Sequence, residues 1–301
     1  MTAHPPKRRA LLVGTGNRGM KMWGRELLAG WGDRVEFVGF CDSNPLRAER
    51  VREAVAASAP ASTDFAALMA TQRPDLVIVC TRDDTHDDYI VAALDAGAGV
   101  ITEKPMATTA EKCRRIAEAE ARSGRRVDVA FNYRYSPLAM RIKTLLAAGV
   151  IGEVTSVDFH WYLDTRHGAD YFRRWHALTR HSGSLFVHKS THHFDLLNWY
   201  LDAVPSEVMA MASQRHYGRN GPYRGTRCRG CAHADACPYH LDISRDPVLE
   251  MLYEAPSHED GYVRDACVFR DEIDIPDTMA ATIRTTTGAQ VSYSVNTYMH
   301  I

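Results

Sequence analysis

The apolar run Ala10-Leu11-Leu12-Val13 breaks into Gly14-Thr15-Gly16-Asn17-Arg18-Gly19, and a helical stretch, Arg18–Ala29, follows at once. Strand, glycine-rich turn and helix, in that order, restrict the possible folds more than any other feature of this chain. The three glycines serve a tight turn, close approach of the backbone to a pyrophosphate, and close packing of helix on strand. The helix start adds unsatisfied N–H groups and the positive end of its dipole. Such a turn opens a doubly wound parallel sheet and predicts a dinucleotide held at Gly14, Gly16, Asn17, Arg18 and Gly19.

From Arg9 to Phe131 short apolar strands alternate with amphipathic helices, the pattern of a parallel sheet covered on both faces. Strands are predicted at Arg9–Val13, Val35–Cys41, Leu76–Cys80, Gly99–Thr102 and Val127–Phe131, and helices at Pro45–Ala57, Asp64–Ala70, Thr85–Ala96 and Thr109–Ser123. Pro45 suits a first helical position, and Gly97 and Gly124 suit helix stops. After a connecting helix, Pro137–Ala148, the pattern changes to long alternating strands at Val154–Leu163, Ser206–Arg215, Asp277–Arg284 and Gln290–Tyr298. The expected fold class is therefore α/β. A Rossmann domain covers residues 1–132, and an α+β domain with an open, largely antiparallel sheet covers 133–301, with a Cys-rich loop at 217–242. The apolar strand pattern Val291–Met299 runs almost to the last residue, which predicts a chain truncated at its C-terminus.

Charge narrows the partners. Lys and Arg number 36 and Asp and Glu 37, so no global field favours nucleic acid or an anionic membrane. No apolar run approaches the ~20 residues that span a bilayer, and Ala10–Val13 is too short for the core of a signal peptide. A cytoplasmic protein is expected.

Several residue types then point to chemistry. Thr102-Glu103-Lys104-Pro105 places Glu103 and Lys104 at the carboxyl end of a later strand, where such folds put their reacting groups. Asp42 follows the second strand, where a carboxylate accepts from an adenosine ribose and repels a 2′-phosphate, favouring NAD over NADP; Arg47 nearby works against that preference. Thr81, Asp83 and His86 follow the strand ending at Cys80 and are expected along the cofactor, although His86 also suits a plain helix start. Seven of the 14 histidines fall between His160 and His193, which predicts a polar cleft. His188 and His192 share one helix face, as do Lys189 and His193. The run Arg166–His176, with Arg166, His167 and Trp175, mixes guanidinium, imidazole and aromatic groups suited to hydroxyl or carboxylate recognition. Cys41, Cys80 and Cys113 read as small buried hydrophobes. Cys228, Cys231, Cys237 and Cys267 form a separate cluster whose CxxC spacing predicts a structural zinc, with His233 and His240 as substitutes for Cys267.

Taken together, the glycine loop, Asp42, Glu103-Lys104-Pro105, Asn132-Tyr133-Arg134-Tyr135-Ser136-Pro137 and the Gly183–Asp195 segment resemble the Gfo/Idh/MocA family of NAD(P)-dependent oxidoreductases. The resemblance covers essentially the whole chain. It implies a Rossmann domain followed by an open-sheet domain, a sugar or cyclitol substrate, and Lys104 and His192 as catalytic positions. A homo-oligomer is also expected. The family pattern Asp-x-Gly-x-His-x-x-Asp is altered here: aligned on His192 and Asp195, His188 stands for the Asp and Ser190 for the Gly. His188 then reads as a substrate contact, with Arg134, Lys189 and His193 beside it. Histidine starts near a pKa of ~6.5 and lysine near ~10.4, so His192 is expected as the base and Lys104 as the cation that steadies a developing alkoxide. Two further readings use the same parts: an NAD-dependent glycosidase that oxidises its substrate transiently, and a non-catalytic NAD(H)-binding protein.

Overall fold

The computed structural model describes residues 6–55 and 58–299. The end of the helix predicted to run to Ala57, and the start of the basic N-terminus, lie outside the described residues. The chain divides into two compact units, residues 1–130 with 242–264, and residues 131–241 with 265–301.

The first unit is built on strands β1 (Arg8–Val13), β2 (Val35–Cys41), β3 (Ala61–Ser62), β4 (Leu76–Val79), β5 (Gly99–Thr102) and β6 (Val127–Val129). They are ordered β3-β2-β1-β4-β5-β6 and every pairing is parallel. Side chains alternate across a strand, so β1 feeds two cores. Leu11 and Val13 join Val77, Val79 and Ile90 on one face, while Ala10 and Leu12 join Phe40, Ile78 and Met20 on the other. That explains why these strands read as unbroken apolar runs. Thr109 caps its helix by accepting from Lys112 N–H, and Gly97 and Gly124 stop theirs at φ values of 86° and 65°. The helix after the glycine loop is wound as a π-helix over Gly19–Glu26 and as an α-helix over Leu27–Trp31. The two-residue strand β3 gives no sequence pattern of its own.

The second unit holds β7 (Ser156–Asp164), β8 (Pro205–Ser213), β9 (Thr278–Thr285) and β10 (Gln290–Met299), ordered β7-β10-β9-β8. The β9–β10 and β8–β9 pairings are antiparallel, and β10 pairs β7 in parallel. The sheet is therefore mixed; a parallel pair needs a long crossover, which the helices between β7 and β10 supply. Met279, Ala281 and Ile283 of β9 and Val291, Tyr293 and Val295 of β10 face one core with Phe172, Leu185 and Leu197. Among the described residues, no helix is long and apolar enough to cross a membrane.

The segment Asp242–Arg264 falls in the second half of the sequence but packs in the first unit. Leu252 is its anchor, fully buried beside Phe37 and Ile78.

Candidate active site

In the first unit the glycine loop lies at the carboxyl end of β1. Gly14 N–H donates to Cys41 O, and Gly14 has φ +87°. A Cβ on Gly14 would lie 2.4 Å from the Cys80 carbonyl carbon, and one on Gly19 would lie 2.2 Å from Gly14 O. These glycines are thus required by backbone packing whatever the loop binds. No side chain caps the helix that opens at Gly19, and Asn17 Oδ1 is buried without a hydrogen-bond partner. Uncapped helix donors and an orphaned acceptor suit the polar backbone of a dinucleotide.

Asp42 is 9% exposed and accepts four hydrogen bonds: from Thr15 N–H (2.7 Å), Thr15 Oγ1 (3.0 Å), Asn44 N–H (3.0 Å) and Arg47 Nη1 (3.0 Å). Burial opposes the charge of Arg47, but Asp42 and Asp260 outweigh it and hold that guanidinium above its ordinary pKa. Burial also pushes the neighbouring Cys41 thiol up to about 12, with Asp42 adding to the effect.

At the end of β5, Glu103 takes a structural part. Its Oε1 accepts from Arg18 Nε (2.6 Å) and Trp23 Nε1 (2.9 Å), tying the strand to the helix after the glycine loop. Lys104 follows, half-buried, and the Lys104–Pro105 peptide is cis. His86 was expected along the cofactor. It is fully buried instead, with ring nitrogens 2.8 Å from Pro105 O and 3.2 Å from Thr81 O, and burial lowers its pKa. It bridges the backbone of the Glu-Lys-Pro turn and that of Thr81. Thr81 Oγ1 accepts from Thr85 Oγ1 (2.9 Å), and Asp83 is buried in the following turn.

In the second unit, the expected gathering of imidazoles forms around helix Thr191–Leu201 and the turns before it. Lys189 is 3% exposed, donates to Tyr133 Oη (2.9 Å), and lies over the rings of Tyr133 and Trp161. Burial lowers its pKa to about 8. His192 stacks on Tyr133 with centroids 4.0 Å apart. His188 packs edge-on against His176 (4.1 Å), Tyr171 and Trp175. His167 lies 3.1 Å from Tyr171 Oη, its pKa lowered by partial burial and then by Lys189. Asp164 holds this turn by accepting from Arg166 and His167 N–H groups, while the Arg166 side chain is exposed.

Two expected substrate contacts are used otherwise. His193 is fully buried, 2.8 Å from Tyr293 Oη and packed on Phe159 and Trp161, so it belongs to the core. Arg134 forms a two-pronged pair with Asp195, Nε donating over 2.7 Å and Nη2 to the other oxygen. Asp195 therefore orients a guanidinium and not the His192 ring. Tyr133 and Trp161 do not stand out in the sequence, whereas His176 closes the Arg166–His176 run. Tyr133 lies inside the Asn132–Pro137 motif, which is its one available signal.

The zinc expectation is not supported. Cys228, Cys231, Cys237 and Cys267 line one small cavity with His233 and His240. Among the described residues, however, no three His, Cys, Asp or Glu side chains come together as a metal-holding group. All seven cysteines are free thiols. Cys228 faces Arg173 Nη1 (3.4 Å), Cys231 accepts from His233 N–H and Cys267 from Phe269 N–H, and burial pushes the Cys228 thiol up.

Residues 8–131 match an oxidoreductase family with an NAD-binding Rossmann fold, and residues 143–300 match the C-terminal alpha/beta domain of the same family. The chain is 40% identical to YteT of Bacillus subtilis (strain 168) over 302 residues, covering 95% of this chain and 71% of that protein. It is 32% identical over 198 residues to an inositol 2-dehydrogenase of Paracoccus denitrificans, covering 64% of this chain and 53% of that enzyme, about half the relative's length. Among solved structures, the WlbA dehydrogenase from Bordetella pertussis, in complex with NADH and UDP-GlcNAcA, superposes with a TM-score of 0.72 at 23% identity, covering 98% of this chain and 73% of that one. The myo-inositol 2-dehydrogenase from Lactobacillus plantarum gives 0.70 at 16% identity, covering 97% and 71%. At those identities the superpositions show the fold. The two family matches between them cover nearly the entire chain, which therefore belongs to the Gfo/Idh/MocA family of NAD-binding oxidoreductases.

Proposed function

We propose that the protein is an NAD-dependent dehydrogenase acting on a secondary hydroxyl of a sugar or cyclitol. The observation that carries this reading is the cluster of His167, Lys189, Tyr133 and His192, with His188 and Trp175 beside it. Cations and imidazoles set among aromatic faces suit a ring that presents hydroxyl edges and an apolar face. Relatives named as inositol 2-dehydrogenases support the cyclitol class.

Bound NAD supplies the hydride acceptor. A hydride leaves a carbinol carbon only as the hydroxyl proton is taken up, so a base must lie within hydrogen-bond reach of that oxygen. We assign His192 to that role, its ring held by Tyr133. Lys104 supplies the cation that steadies the developing alkoxide, with the Lys104–Pro105 turn held by His86. Lys189, protonated at neutral pH, fixes the Tyr133 hydroxyl and the rings stacked around it. His188 binds a neighbouring hydroxyl, and Arg166, His167 and Trp175 bound the same ring.

Steady-state kinetics with NAD and a panel of cyclitols and sugars tests these roles. General acid–base groups contribute roughly 10²- to 10⁴-fold, so Lys104→Ala and His192→Ala should each lose about that much kcat with NAD affinity little changed. His188→Ala should act mainly on KM. Full turnover by Lys104→Ala, or aglycone release from a glycoside without net NADH, would contradict the assignment.

A further inference from the structure

The segment Asp242–Arg264 contacts the same residues that the glycine-loop reading assigns to the dinucleotide. Tyr253 Oη accepts from Asn17 N–H over 2.7 Å, inside the loop itself. A Cβ on Gly16 would lie 2.9 Å from that same hydroxyl. Pro256 O accepts from Asn44 Nδ2 (2.9 Å), and Arg50 donates to Met251 O. The segment thus runs from the glycine loop to the carboxylate after β2, and Leu252 anchors it.

Its strongest grip is on Arg47. An arginine near the ribose carboxylate is the group that accommodates a 2′-phosphate in this kind of fold. Here each nitrogen of that guanidinium has a partner: Nε donates to Leu252 O (2.9 Å), Nη1 to Asp42 Oδ1 (3.0 Å) and Nη2 to Asp260 Oδ2 (2.9 Å). The Arg47 side chain is 8% exposed, so a new anion must displace one of these bonds. Two carboxylates surround one cation, which leaves the group net negative. A phosphate with a charge of about −1.5 to −2 would meet that repulsion as well.

We propose that Asp260 is a cofactor-specificity residue: it holds Arg47 against Asp42, so that a 2′-phosphate is refused and NAD is selected. Asp242–Arg264 is then a third part of the dinucleotide site, drawn from the far half of the sequence. The inference rests on the dinucleotide reading of the glycine loop.

Equilibrium titration of NAD and NADP tests it, on wild type, Asp260→Asn, Arg47→Ala and the double variant, with thermal melting recorded for each. Removing the Asp260 charge from this partly buried pair should tighten NADP about tenfold, ~1.4 kcal/mol, while NAD affinity shifts by less. Arg47→Ala should abolish that gain, because the freed guanidinium is what captures the phosphate. Asp260→Glu, which keeps the charge, should keep wild-type discrimination, and Asp260→Ala repeats the test by a second truncation. An unchanged NADP-to-NAD ratio in both Asp260→Asn and Asp260→Ala would overturn the proposal, as would a gain that survives in the Arg47→Ala background. Wild-type protein that binds neither nucleotide would overturn the glycine-loop reading, and this inference with it.

Discussion

Replacing Gly14 with alanine puts a methyl group where the backbone after β4 already lies. The added Cβ would sit 2.4 Å from Cys80 C, 2.5 Å from its O and 2.6 Å from Thr81 N, and none of these is a flexible side-chain end. The residue also holds φ +87°, a left-handed conformation that costs an L side chain about 1–2 kcal/mol. Overpacking adds about 1–3 kcal/mol, so the total is about 2–5 kcal/mol. Gly97 provides the control: its φ is +86° but nothing lies within 4 Å of the added methyl. Gly97→Ala should therefore cost only the conformational part. At roughly 2–4 °C per kcal/mol for a domain of this size, calorimetry should show Tm falling by about 4–20 °C in Gly14→Ala and about 2–8 °C in Gly97→Ala. NAD affinity should weaken at least tenfold, by about 1.4 kcal/mol, in the first variant and hold in the second. Equal losses of Tm, with equal NAD affinity, would refute the argument that close backbone approach is what Gly14 provides.

Other outcomes follow from buried charge and burial. His86 has a folded pKa below its unfolded value near ~6.5, so the unfolded chain binds the proton more tightly. Stability present above about pH 6.5 should be lost as pH falls through that value toward the folded pKa; melting across this range should show a shallower slope in His86→Gln. Asp195→Asn leaves one acceptor for the half-exposed Arg134 and should lower stability by about 1–3 kcal/mol, read by urea denaturation. All seven thiols should titrate in denaturant, and in the native state Cys41 and Cys228 should be among the slowest, since burial pushes both thiols up; a thiol count short of seven would reveal an oxidised pair. Kinetics of Lys104→Ala and His192→Ala, described above, complete the set.

The first unit was largely legible because its signals are local. A strand buried on both faces must be an unbroken apolar run, and Leu76–Val79 is one. Glycines with positive φ, such as Gly97 and Gly124, announce their own positions. The site was less legible where its geometry is long-range. Both adjacent histidines are buried, and nothing in the spacing tells how each is partnered: His192 stacks on Tyr133 while His193 is sealed against Tyr293. Asp195 stands three residues after His192, but its partner is Arg134, far away in sequence. The return of Asp242–Arg264 to the first unit rests on Leu252, with Val248, Met251 and Tyr253 around it, and on polar contacts from Tyr253, Asp260 and backbone carbonyls, none of which makes a periodic signal. All four cysteines do line one cavity, but the sulfurs of Cys228, Cys231 and Cys267 are engaged by Arg173 and by nearby N–H groups. Spacing alone does not make a metal site.

The central claim is that hydride passes from a carbinol carbon of a sugar or cyclitol to NAD. The protein, NAD and cyclitols or sugars deuterated at their ring carbinol carbons can be incubated together and the nucleotide analysed by mass spectrometry. The account predicts NADH carrying deuterium, formed with wild-type protein and strongly reduced with His192→Ala. NAD bound tightly, with no labelled NADH from any polyol in the panel, would contradict it.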